Sequence, residues 1–104
     1  MTNGNLDEDV RTKINMETSR IGWRELQRFF ANGTAIVVSA ELDLVEVAFQ
    51  ISADNREQVK RWMEDGVVAR VSDAQAQAWY DADCMVWAVV VSPFVLVQET
   101  KKLQ

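Results

Sequence analysis

Residues 85–99 read MVWAVVVSPFVLVQE, two apolar runs parted by Ser92-Pro93. Val and Phe dominate them, side chains that suit a pleated, packed surface. Neither run alternates polar with apolar, so neither reads as a strand with one wet face. A pair of strands of this kind belongs in the middle of a sheet, under helices supplied by the rest of the chain. The junction is awkward. A tight two-residue hairpin prefers Asn-Gly or a glycine-bearing pair, and proline cannot supply a positive φ. The reading favoured is an antiparallel hairpin with an irregular or cis-proline turn.

The segment before it, SDAQAQAWYDAD (72–83), is rich in alanine, the strongest helix former. Ser72 with Gln75 has the spacing of a capping box. Ala74, Ala78 and Ala82 share one face and are expected to let this helix approach the strands closely. Further upstream, VVARV (67–71) and TAIVVS (34–39) read as short strands bounded by turn residues. Between them lie two helices. In LVEVAFQI (44–51), Leu44, Val47, Ala48 and Ile51 form the apolar stripe, behind an Asp43 cap. NREQVKRWMEDG (55–66) opens behind an expected Asp54–Glu57 cap, turns Val59, Trp62 and Met63 inward, and stops at Gly66.

WRELQRFFANG (23–33) gives a further helix. Trp23, Leu26, Phe29 and Phe30 lie on one face, Gly22 is a candidate N-cap with Glu25 reaching back, and Gly33 is a left-handed C-cap. A first helix is expected from Asp7, with Leu6, Val10 and Ile14 as a thin apolar stripe. Residues 1–6 are expected to be a flexible tail. Residues 1–104 thus form a single α+β domain. About four strands close with a C-terminal hairpin and are covered by helices, in the order ααβααβαββ.

At 104 residues, 48% hydrophobic and 26% charged, the composition is that of one globular domain. No apolar run reaches the ~20 residues of a membrane span. The polar, acidic start lacks the pattern of a secretory signal. One cysteine, Cys84, rules out an intrachain disulfide and makes the cytoplasm the simplest setting. A net charge of −5 argues against nucleic acid as a partner.

No catalytic residue is assigned. There is no histidine, and the four glycines stand singly, so no phosphate-cradling loop can be written. Cys84 follows a helix C-terminus beside Asp81 and Asp83, a setting that disfavours a thiolate, and it reads as an inert packed thiol. Asp81 and Asp83 with Glu64 and Asp65 lack the ordered spacing of a calcium loop, so no metal and no cofactor are expected. Arg20, Arg24 and Arg28 recur every fourth residue. One helix through all three would be a basic stripe; a break at Gly22, after Arg20, would leave two arginines paired to nearby acids. Four tryptophans are many for this length, and Trp79 or Trp87 could reach the surface. Arg24, Arg28, Trp79, Tyr80 and Trp87 are the candidate interface or ligand residues.

Taken together, WRELQRFF, LDLVEVAFQISADN, VVARVSDAQAQAWYDAD and VWAVVVSPFVLVQE resemble a family of small bacterial proteins classed as a domain of unknown function. The resemblance runs over residues 11–99. It implies a small, free-standing bacterial protein of the cytosol and brings no activity, cofactor or site residues. The residues themselves support first a non-catalytic interaction or regulatory module, a homodimer or a binder of another protein. A binding domain for a small anionic ligand, with an aromatic pocket and Arg24, Arg28 or Arg70, is the alternative. A carboxylate-based enzyme using Tyr80 is the third reading.

Overall fold

A computed structural model describes residues 3–100. The elements are α1 (Asn3–Glu17), β1 (Ser19–Gly22), a 3₁₀ turn (Trp23–Leu26), α2 (Gln27–Ala31), β2 (Ala35–Val38), α3 (Leu44–Ser52), α4 (Arg56–Glu64), β3 (Val68–Arg70), α5 (Asp73–Asp81), β4 (Met85–Val91) and β5 (Phe94–Glu99). The class is α+β, with five strands instead of about four. The sheet order is β1-β4-β5-β2-β3. All pairings are antiparallel except β2 with β5.

The 85–99 stretch is the centre of this sheet. β4 and β5 pair from Val86↔Glu99 to Val91↔Phe94, and the Ser92–Pro93 bond that joins them is cis. Val95, Leu96 and Val97 are each at most 1% exposed. Because neighbouring strand residues point to opposite faces, an unbroken buried run means both faces are covered. Val86, Ala88, Val95 and Val97 face the 3₁₀ turn, α2 and α5, with Trp23, Leu26, Ala76 and Trp79. Val89 and Leu96 face α1, α3 and α4, with Ile14, Leu44, Val47 and Phe49. The result is three layers, helices on either side of one sheet.

The extra strand is β1. Its four residues, two of them polar, carry little strand propensity. They are ordered by pairing Ser19–Gly22 against Ala88–Met85. This strand separates α1 from the helical turn at Trp23, so Arg20, Arg24 and Arg28 sit on three different elements and make no stripe. It also fills the side of the hairpin away from β2 and β3.

The first layer is pinned by Trp23. Its indole is 0% exposed, donates Nε1–H to the Ala76 carbonyl at 3.1 Å, and meets Trp79 edge-on at 5.1 Å. Residues 23–26 wind as a 3₁₀ turn instead of the expected first α-turn, and Gly22 caps it without a side-chain bond from Glu25. On α5 the buried residues are Ala76 and Trp79. Ala74, Ala78 and Ala82 face solvent, contrary to the expected close-packing face. The large, sticky Trp79 outweighs three methyl groups in deciding which side turns inward.

In the second layer, α3 opens on Asp43, which accepts from the Val45 and Glu46 amides. Glu46 is thereby placed to hold α1. It accepts from Arg11 Nε at 2.8 Å and from Gln50 at 2.7 Å, while the Arg11 guanidinium lies 4.0 Å from the centre of the Phe49 ring. The Arg11 hydrogen bond holds the Glu46 carboxyl below its usual range and, in return, raises the Arg11 guanidinium. α1 begins at Asn3, within the segment expected as a tail; residues 1 and 2 of that segment lie outside the described residues.

Candidate functional site

The break between α3 and α4 opens a groove whose walls are largely apolar. α3 ends with Asp54 at φ 59°, where its amide and that of Asn55 return to the Ile51 and Gln50 carbonyls, each at 3.0 Å. A left-handed residue here satisfies the last carbonyls and turns the chain. Aspartate tolerates this conformation better than most non-glycine residues. The cap of α4 is therefore Asn55, whose side chain accepts from the Gln58 amide, and not the expected Asp54. So reoriented, α4 leans on the sheet margin without sinking into it. Val59 and Trp62 are half-buried, and Met63, expected to point inward, is 54% exposed.

Between α4 and the β3 edge this leaves a groove of about 640 Å³. Its apolar walls come from Ile36, Val68 and Phe94 of the sheet, Ile51 of α3, and Val59 and Met63 of α4. Arg56, Lys60 and Arg70 stand along it with Asp54 and Glu64. Arg56 pairs with Asp54 at 3.2 Å. Among the described residues Lys60 and Arg70 have no acidic partner within ion-pair distance. Cations therefore outnumber acids here by three to two, in a chain of net charge −5.

Of the residues singled out in the sequence, two are brought together. Arg24 donates Nε–H to the Tyr80 carbonyl at 3.0 Å, lies 4.8 Å from the centre of the Tyr80 ring, and is 3.7 Å from Asp83. Arg28 is apart from them, over Phe29. Trp79 stands behind this group in the core, 4% exposed, with its Nε1–H donated to Glu99 at 3.2 Å, and offers no surface. Trp87 does reach the surface. It is 39% exposed on the other face, opposite Arg20 across β1, with Met85 beside it at 43%. Tyr80 borders a depression of about 390 Å³ between α2 and α5 that Arg24 and Arg28 do not line. The five residues do not form one pocket. Of the three arginines offered as alternatives for an anionic ligand, Arg70 lines the groove and Arg24 and Arg28 do not.

Cys84 is half-buried, and its carbonyl accepts from the Trp23 amide at 2.8 Å. Asp81 and Asp83 at the end of α5 and Glu64 at the end of α4 are all exposed. Among the described residues no three acids or thiols gather as a metal site. No helix among them is long and apolar enough to cross a membrane.

The groove was hard to foresee because it belongs to no single segment. Its walls come from five elements. The one local trace was the thin apolar content of α4, too little to bury that helix fully.

Comparison with known proteins places the fold. The chain is similar to a solved structure, the NMR solution structure of PA1075 from Pseudomonas aeruginosa. The two are 41% identical over 90% of this chain and 87% of that one, with a TM-score of 0.79. No curated protein matches the chain. Residues 9–99, from the acidic half of α1 to the last residue of β5, match the family described as "Protein of unknown function (DUF2288)", and the chain belongs to it.

Proposed function

We propose that the protein is a non-catalytic interaction module whose working surface is the groove between α4 and β3. The partner of this reading is a protein segment with an apolar face and acidic flanks. The observation that carries it is the groove itself, with apolar walls beneath the cations Lys60 and Arg70, which have no acidic partner among the described residues, in a molecule of net charge −5. Apolar side chains would supply the affinity. The two cations would fix orientation and reject basic partners. The setting of this reading is the bacterial cytoplasm, in keeping with the one free cysteine and the bacterial solved relative.

A second reading uses the same place. About 640 Å³ falls in the range of small-molecule sites, and Arg70 with Phe94 could take an anion that has an apolar body. Amide-resolved NMR titration separates the two. An acidic amphipathic helical peptide is expected to move the resonances of residues 56–70, and a basic peptide with the same apolar pattern is not. Shifts with decanoate but with neither peptide would favour the small anion. No shift at the groove of a monomeric chain with any of the three would overturn both readings.

A further inference from the structure

The exposed half of α1 has the chemistry that the groove lacks. Leu6, Val10 and Ile14 recur at every fourth position, on one side of the helix. Their exposure falls along it, from 62% through 41% to 7%. The C-terminal half is seated, through Ile14 in the core and Arg11 on Glu46. The N-terminal half carries the same stripe out past the core. At 3.6 residues per turn, Asp7 and Asp9 flank that stripe on its two sides. Residues 6–10 hold three acids and no base.

We propose that the exposed stripe of α1 from one copy of this chain occupies the α4–β3 groove of a second copy, and that the exchange is reciprocal. This rests on the groove reading above and names the occupant. Charge complementarity supports it, with Asp7 and Asp9 against Lys60 and Arg70. Topology supports it too. α1 packs on β4 and α4 packs on β3, with α3 in contact with both helices. β4 and β3 lie on opposite sides of β5 in the sheet. A chain therefore cannot fill its own groove with its own α1 while Ile14 stays in the core. In a two-fold pair each copy supplies one stripe and one groove, so both are used and the contact closes. The recognition is an amphipathic helix laid in an apolar groove.

Light scattering on the full-length chain tests this, with thermal unfolding to show that every variant is folded. The wild type is expected at the mass of two 11.8 kDa chains. Two charge reversals follow, Asp7→Lys with Asp9→Lys in one variant and Lys60→Glu with Arg70→Glu in the other; all four positions are exposed. Each variant alone places like charges in both contacts and is expected to weaken the dimer by roughly a hundredfold or more. Mixing the two variants restores opposite charges in both contacts, and a heterodimer is expected. A wild type that stays monomeric at high concentration overturns the proposal. So does a dimer indifferent to either reversal, or a mixture that does not associate. If the chain is monomeric yet the acidic peptide still moves residues 56–70, the occupant is another protein and the groove reading stands. If neither happens, both fall.

Discussion

Replacing Trp23 with Phe tests whether one buried indole holds the first helical layer to the sheet. The side chain is fully buried, donates its N–H to Ala76 and stands edge-on to both Trp79 and Phe30. Phe keeps an aromatic ring for the edge contacts but removes the donor and the pyrrole portion of the ring. Losing the hydrogen bond costs about 1 kcal/mol. The missing ring volume adds about 2 kcal/mol by the per-methylene scale, because a close-packed interior relaxes only partly around the gap. The expected loss is about 3 kcal/mol, a fall of roughly 10–20 °C in Tm for a domain of this length. Urea unfolding followed by far-UV circular dichroism measures it, free of the change in tryptophan fluorescence. The slope against denaturant should stay constant while the midpoint falls. Trp87→Phe is the control. That side chain is 39% exposed and its replacement should stay within about 0.5 kcal/mol. A Trp23→Phe loss under about 1 kcal/mol, or a Trp87→Phe loss equal to it, would refute the assignment of one indole to the core and the other to the surface.

Three further outcomes follow from local geometry. Glu46→Gln should destabilise the protein at neutral pH, since the carboxylate is held in its charged form by Arg11. A carboxyl with a lowered folded value contributes its stability above the ordinary glutamate value, ~4.3, and loses it as pH falls through the folded one. The gap between Glu46→Gln and wild type should therefore close on acidification, and a gap constant from neutral pH down to about pH 3, below that reference, would contradict the pairing. Gly66→Ala meets no atom within 4 Å but sits at φ +78°. The left-handed penalty of about 1–2 kcal/mol, offset by a stiffer unfolded chain worth ~0.4–1 kcal/mol, leaves a net loss near ~1 kcal/mol, and calorimetry showing no loss would count against that conformation. Asn55→Ala should cost about 1 kcal/mol as the cap of α4. Asp54→Gly, at a left-handed position, should cost nothing or stabilise, and chemical denaturation giving the reverse order would restore Asp54 as the cap.

Much of the fold was legible before any coordinates. The unbroken apolar character of 85–99 implied a hairpin covered on both faces; Val95, Leu96 and Val97 of β5 are buried from both sides, whereas Met85, Trp87 and Val90 of β4 stay exposed, because the helices do not reach over the whole of that strand. Ser72 and Asp43 cap the helices they were expected to cap, and Gly33 and Gly66 end helices in the left-handed region. These features are local. A cap, a positive φ or a run of β-branched residues depends on neighbours a few positions away, and such signals survive in the linear chain.

The errors arose where distant segments compete. β1 exists because β4 offers it an edge, which nothing in SRIG announces. Trp79 overrode the alanine face of α5 because indole burial outweighs three methyls, and that choice needed Trp23 in place. The cap of α4 moved by one residue when Asp54 took the left-handed turn that ends α3. The candidate site shows the same division. Lys60 and Arg70 are ten residues apart, on a helix and on a strand. The chain by itself determined an α+β domain with a sheet built around residues 85–99, and it supplied both an acidic helix with an apolar stripe and scattered cations. Only the tertiary structure decided that Lys60 and Arg70 would share an apolar groove while the stripe of α1 ran out into solvent. Grooves and unpartnered faces are set by how far each helix can sink into a shared core, a property of the packed whole that no single segment carries.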